Sequence, residues 1–125
     1  MPAAPASAEA PPQANDQENG FVVKNWPDGK QYRGEMRAGK RHGKGSIMYP
    51  DGASYEGEWN EDWRHGFGEY RYTDGTWYKG EWYKGNRHGT GLCTYADGNM
   101  YQGQWQNNLP HGQGQCRFAE GSVYK

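Results

Sequence analysis

The sequence predicts an all-β chain, an elongated and twisted antiparallel sheet of stacked hairpins running as an open, solenoid-like meander. Three observations predict it. A 23-residue unit is copied about four times with no insertion or deletion. Inside the unit, aromatic residues or glycine alternate with charged residues, which is the strand period of two. Each unit closes on a carboxylate followed by glycine, a turn signal.

Composition points the same way. Hydrophobic residues make up only 33% of the 125, too few for a Leu-rich core, while aromatics make up 15% and glycines number 20. Ten Tyr and six Trp must therefore supply most of the apolar area. A net charge of -1 gives no general pull toward nucleic acid. No run approaches the ~18 apolar residues of a membrane helix. Two cysteines make no disulfide framework. The expected compartment is the cytosol or a cytoskeletal structure bathed in it.

Residues 1–20 are rich in Pro, Ala and polar residues, hold no aromatic, and read as a disordered tail. They carry Glu9, Asp16 and Glu18 and no Arg, unlike a transit peptide. Residues 21–31 are a partial repeat, because Trp26-Pro27-Asp28-Gly29 matches Tyr49-Pro50-Asp51-Gly52. Full repeats follow at 32–54, 55–77, 78–100 and 101–123, and residues 124–125 start another. The expectation is a fragment of a longer array, or an end completed by self-association, edge pairing or a partner.

Each unit reads as a hairpin. Tyr55-Glu56-Gly57-Glu58-Trp59 and Gly66-Phe67-Gly68-Glu69-Tyr70-Arg71-Tyr72 both alternate. Pro50-Asp51-Gly52 predicts a three-residue loop, a type I turn whose Gly is left-handed. That odd loop length places Ile47 opposite Tyr55, Gly45 opposite Gly57 and Gly43 opposite Trp59, all on one face. Arg33, Glu35, Lys44, Ser46, Glu56 and Glu58 fall on the other. The glycines let rings from neighbouring strands lie over bare backbone. The other connection, Asn60 to His65, reads as a longer polar loop along the opposite edge.

The pattern Tyr-x-Gly-Glu-Trp, then Arg-His-Gly-x-Gly, then Tyr-x-Asp-Gly, resembles the MORN repeat (membrane occupation and recognition nexus) across residues 21–125. The resemblance implies a twisted, elongated β-sheet with a groove. The Arg-His-Gly in three units is most similar to the MORN repeats of radial spoke head proteins of motile cilia. Junctophilins, plant phosphatidylinositol-phosphate kinases and parasite cytoskeletal scaffolds share the unit. No kinase, methyltransferase or exchange-factor sequence accompanies it here, so those activities are not expected.

The candidate chemistry is mostly structural. His42, His65, His88 and His111 recur by 23, so equivalent residues stand about 9.6 Å apart, two strands away, and cannot converge on one metal. Each is expected to hydrogen-bond loop backbone beside its Gly. Cys93 and Cys116 are too far apart by the same spacing for a disulfide and read as small packed residues. Glu35, Glu58 and Glu81 form a repeated carboxylate row, continued by Gln104, that reads as a solvated face and not a paired catalytic site. No catalytic residue, cofactor or metal is expected.

Tyr55, Trp59, Tyr72, Tyr78, Trp82, Tyr95, Tyr101 and Trp105 share one face. They form either a self-contained core or a core plus a groove for a partner helix or peptide. A single sheet is expected to leave part of them open, which favours the groove. Arg37, Lys40, Arg41, Lys44, Arg64, Lys84 and Arg87 gather toward the other loop edge, which reads either as charge for solubility or as an edge resting on acidic partners or anionic lipid. The expected function is a non-catalytic protein-interaction scaffold, probed by Trp82→Ala, which should release the partner while the sheet survives. The alternative is a peripheral membrane module using the basic edge.

Overall fold

A computed structural model describes residues 19–121 together with 123 and 124. The residues 1–18 of the expected tail lie outside the described residues. The described chain is one antiparallel sheet in which every strand pairs only with its neighbours in sequence. The strands are β1 (Gly20–Asn25), β2 (Gln31–Arg37), β3 (Lys40–Met48), β4 (Ser54–Asn60), β5 (Trp63–Arg71), β6 (Trp77–Tyr83), β7 (Asn86–Thr94), β8 (Met100–Gln106), β9 (Leu109–Arg117) and the short β10 (Val123–Tyr124). The first and last strands do not pair, so the sheet stays open, and no helix interrupts it.

The three-residue turns form as expected. In the second unit's entry, Gly52 N donates to Tyr49 O at 3.0 Å and Tyr49 N donates to Ala53 O at 2.9 Å. Gly52 sits at φ 97°, where a Cβ would be strained. Asp51 Oδ1 accepts from Ala53 N at 3.0 Å, and Asp28, Asp74 and Asp97 accept equivalently two residues on. The acidic turn edge is therefore first a set of side-chain turns. The resulting register pairs Gly43 with Trp59, Gly45 with Gly57 and Ile47 with Tyr55.

The other connection differs from expectation. It is no long loop. Asn60 pairs with Trp63, leaving only Glu61 and Asp62 in the turn. Their φ values of 48° and 72° are both positive, as a type I′ turn requires. Ala38-Gly39, Lys84-Gly85 and Asn107-Asn108 repeat the geometry. This turn's twist matches the strands it joins, so Trp63, Arg64 and His65 belong to β5.

Just inside these turns the register shifts, between Gly57 and Trp59 for example. The bulge frees a backbone N–H on the longer strand. Glu58 Oε1 accepts it from Phe67 at 2.8 Å; Glu35, Glu81 and Gln104 do the same for Lys44, Thr90 and Gln113 at 3.1 Å. The carboxylate row is thus a row of bulge caps as well as a solvated face. Only the carbonyl-type oxygen is used, which is why Gln104 serves as well as Glu. We expect Glu58→Gln to leave urea stability within about 0.5 kcal/mol and Glu58→Ala to cost about 1 kcal/mol, the net value of a hydrogen bond.

The core lies entirely on one face of the sheet. Tyr32, Tyr55, Tyr78 and Tyr101 lie over the second glycine column, so a Cβ on Gly68 would collide with the hydroxyl end of the Tyr55 ring. Their hydroxyls donate to backbone three residues on, as Tyr55 does to Glu58 O at 2.9 Å. Trp59, Trp82 and Trp105 reach back one unit and donate Nε1–H to Gly45 O, Gly68 O and Gly91 O at 3.0–3.1 Å. Rings then alternate edge to face along the sheet, Tyr55 to Trp82 at 5.4 Å and Trp82 to Tyr78 at 5.0 Å. That geometry suits the ring quadrupole.

Burial of these phenols has a pH consequence. It pushes Tyr70 up to about 12 and Tyr32, Tyr55 and Tyr78 well above the ordinary value, against the partial relief of Arg41, Arg64 and Arg87. A phenol harder to ionise when folded contributes fully below the unfolded pKa of about 10, and that contribution is lost as pH rises beyond it. Thermal melts followed by circular dichroism should hold steady between about pH 7 and 9 and fall steeply above about 10.

Candidate functional site

The ring face does not form the open wall expected of it. Tyr55, Trp59, Tyr78, Trp82, Tyr101 and Trp105 are all buried, Trp82 at 4% exposure. Of the eight expected groove residues, only Tyr72 and Tyr95 keep substantial surface. The correction concerns exposure, not placement: the six buried rings share one face as expected, but that face covers itself.

The cover comes from arginine. Arg41 lies over the Trp59 ring at 4.5 Å, Arg64 over Trp82 at 5.0 Å and Arg87 over Trp105 at 4.8 Å. Each guanidinium therefore belongs to one unit and stacks on the indole of the next. Backbone contacts hold it there: Arg64 Nη2 donates to Gly85 O at 3.1 Å and Arg87 Nη2 to Asn108 O at 2.8 Å. Adjacent type I′ turns are also joined directly, since Asp62 N donates to Arg41 O and Gly85 N to Arg64 O at 2.9 Å.

This disposes of the basic edge as a free row of cations. Arg41 pairs with Asp62 at 3.0 Å; Arg37 and Lys40 both reach Glu61, at 3.0 and 3.4 Å. Arg64 and Arg87 point into the ring face. Lys84 lies over Tyr83 at 5.5 Å and is exposed, as is Lys44 on the opposite face. The signal for the arginine role was present in the sequence: Arg41, Arg64 and Arg87 recur by 23 in the same frame as the tryptophans.

The histidines also depart from expectation. His42 and His65 have buried Nδ1 atoms without a hydrogen bond, so that nitrogen does not make the expected loop-backbone contact, and His42 Nδ1 stands 3.9 Å from Glu61 Oε2. His65 and His88 instead pack on either side of Tyr83, at 5.3 and 5.5 Å between ring centroids. Cys93 is buried and Cys116 partly so, both as free thiols. Among the described residues, no three His, Cys, Asp or Glu side chains are placed to hold a metal ion.

The open apolar surface lies on the face opposite the rings. Phe21 of β1 is 69% exposed and Phe67 of β5 is 53% exposed. Sequence reading placed Phe67 in an alternating strand but gave it no role. Both side chains line one groove of about 560 Å³, with Arg33, Lys44, Glu56 and Glu58 between them. In a flat sheet strands four steps apart would be about 19 Å away, so the sheet is hollowed on this face. A neighbouring hollow of about 350 Å³ adds Val23 and Met48, both exposed.

Comparison with known proteins agrees with this architecture. A search of curated proteins finds no match. The family model of the MORN repeat matches residues 32–54, 55–77, 78–100 and 101–123, the same four units that the ring and turn geometry delimits. Such repeats are an interaction-module type that commonly mediates protein or membrane contacts, not an enzyme type. The chain belongs to the MORN repeat family.

Proposed function

We propose that the chain is a non-catalytic scaffold that holds a helix or extended peptide of a partner protein in the groove between Phe21 and Phe67. The observation that carries this reading is that groove: two large exposed aromatics flanking a charged floor on the sheet. Aromatic anchors beside a polar rim are the usual anatomy of a peptide-binding surface. Both signs of charge occur on the floor, with Arg33 and Lys44 against Glu56 and Glu58, which suits a partner of mixed charge. The assembly favoured is cytoskeletal or ciliary, a radial spoke first. That context rests on the likeness of the Arg-His-Gly pattern to spoke-head repeats.

The test is affinity purification of the full chain carrying Phe67→Asp beside wild type. Phe67 is exposed, so the melting temperature should stay put while the recovered partner falls about 30-fold, as for a loss of about 2 kcal/mol at an anchor. An unchanged set of partners would overturn the groove.

A second reading has its own observation. Trp63 and Tyr83 are both about half exposed near the type I′ turns, with Lys84 beside them. Amphipathic rings with a lysine suit a lipid interface. Flotation with anionic vesicles tests it, and binding that is absent at low salt rejects it.

A further inference from the structure

The outer edge of β1 carries no strand among the described residues. Such an edge is a template for pairing unless proline, a bulge or inward charge blunts it. β1 is Gly-Phe-Val-Val-Lys-Asn, without proline, and its Phe21 and Val23 are 69% and 59% exposed on the face opposite the rings. The ring face of β1 departs from the repeat. Val22 stands where later units have Gly45, Gly68, Gly91 and Gly114. Each of those glycines lies under a tyrosine of the preceding strand, as Gly45 lies under Tyr32 of β2, and a Cβ there would meet the phenol. Val22 has that Cβ and packs against the core instead. A further repeat strand, with its tyrosine, therefore does not fit beside β1.

We propose that this edge pairs with β1 of a second copy of the chain, antiparallel about a two-fold axis at Val23. β1 is itself a strand that fits, since it brings Val22 and Lys24 to the ring face and no aromatic ring. Its sequence also selects one register. Opposite residues of an antiparallel pair share a face, so the axis passes through a residue and not between two. An axis at Val22 would set Lys24 opposite Gly20, whose φ of 80° ends the extended run. An axis at Lys24 would bring two like charges together. At Val23 the whole run from Phe21 to Asn25 pairs with its copy.

In that register Val23 meets Val23, Val22 meets Lys24 and Phe21 meets Asn25, with no charge facing a charge. The Lys24 amine keeps its place 5.6 Å over the Trp26 ring, while its stem lies beside Val22 of the other copy. Phe21 is diagonal to Val23 of the other copy, a distance that an aromatic side chain spans. The two most exposed apolar side chains of β1 are thus covered by each other's copies. A contact that uses one patch twice closes at two chains and leaves no filament. It is one strand pair wide, so the dimer belongs to the weak class whose population follows concentration. Because the pairing preserves faces, both grooves between Phe21 and Phe67 open on the same side of one continuous sheet.

The test is sedimentation and cross-linking of the full chain. The weight-average mass of wild type should rise with concentration from one chain toward two, and Val23→Lys, which sets like charges on the axis, should stay at one. Under mild oxidation Val23→Cys should form a covalent dimer, because Cα atoms facing each other at about 4.5–5.5 Å suit a disulfide. Val22→Cys should cross-link several-fold more slowly, since its copies stand diagonally at about 7–8 Å. Wild type, with Cys93 and Cys116, gives the background. A wild-type mass fixed at one chain overturns the proposal, and so does cross-linking at Val22 as fast as at Val23. Phe67→Asp combined with Val23→Cys should still cross-link, so failure of the groove and failure of the dimer are read separately.

Discussion

Trp82→Ala should cost about 3–5 kcal/mol and not merely release a partner. The indole is buried, donates to Gly68 O, meets Tyr55 and Tyr78 edge to face, and carries Arg64 on its outer side. Removing it leaves a cavity and strips Arg64 of its platform. A folded domain of this size has about 5–15 kcal/mol in all, so the loss is a large fraction. Because each strand pairs only with its neighbours in sequence, the damage should be local first. Amide exchange should speed up in β5, β6 and β7 before β1 or β9 feels it. Trp63→Ala, at a half-exposed ring beside the turn, should cost far less in the same urea titration. Equal midpoints for wild type and Trp82→Ala would show that the ring is not core.

Gly68→Ala is the second large effect, expected at about 3 kcal/mol, the upper end for overpacking. The added methyl collides with the hydroxyl end of the Tyr55 ring, and Tyr55 is buried with that hydroxyl fixed on Glu58 O. Retreat on the facing strand is blocked too, since Gly57 packs against the Gly68 Cα. The cause can be isolated by a double-mutant cycle. With Tyr55→Leu already in place, Gly68→Ala should cost at least 1 kcal/mol less, because a branched aliphatic chain does not lie across that backbone. Additive losses would mean that the glycine is needed for something other than the ring.

Much of this was legible from one chain because repetition supplies what a single copy lacks. The three-residue turn, the pairing of Ile47 with Tyr55 and the two-faced sorting of rings and charges all follow from Pro50-Asp51-Gly52 and the period of two. Glu61-Asp62 alone does not announce the type I′ turn, since neither residue favours positive φ as glycine does. Gly39, Gly85 and Asn108 at the equivalent position carry the signal. Burial of the rings is hidden in the sequence because the cover is cationic. A guanidinium reads in sequence as a solvated charge, and only the frame shared by Arg41 and Trp59 shows that it stacks. The groove by Phe21 and Phe67 was illegible for the opposite reason. It breaks the repeat: Lys44, Phe67, Thr90 and Gln113 occupy one column, so averaging over copies hides the very difference that gives the face its character.

The stitching of one type I′ turn to the next bears on how the molecule carries load. Tension applied at the two ends pulls across the strands and presents the interstrand bonds one rung at a time, as in a zipper. Asp62 N to Arg41 O and Gly85 N to Arg64 O fasten each rung at its margin to the rung beyond its immediate partner. A stretched chain would therefore give way hairpin by hairpin from an end and lengthen in even steps of one unit. That is the behaviour of a shock absorber, not of a rigid strut.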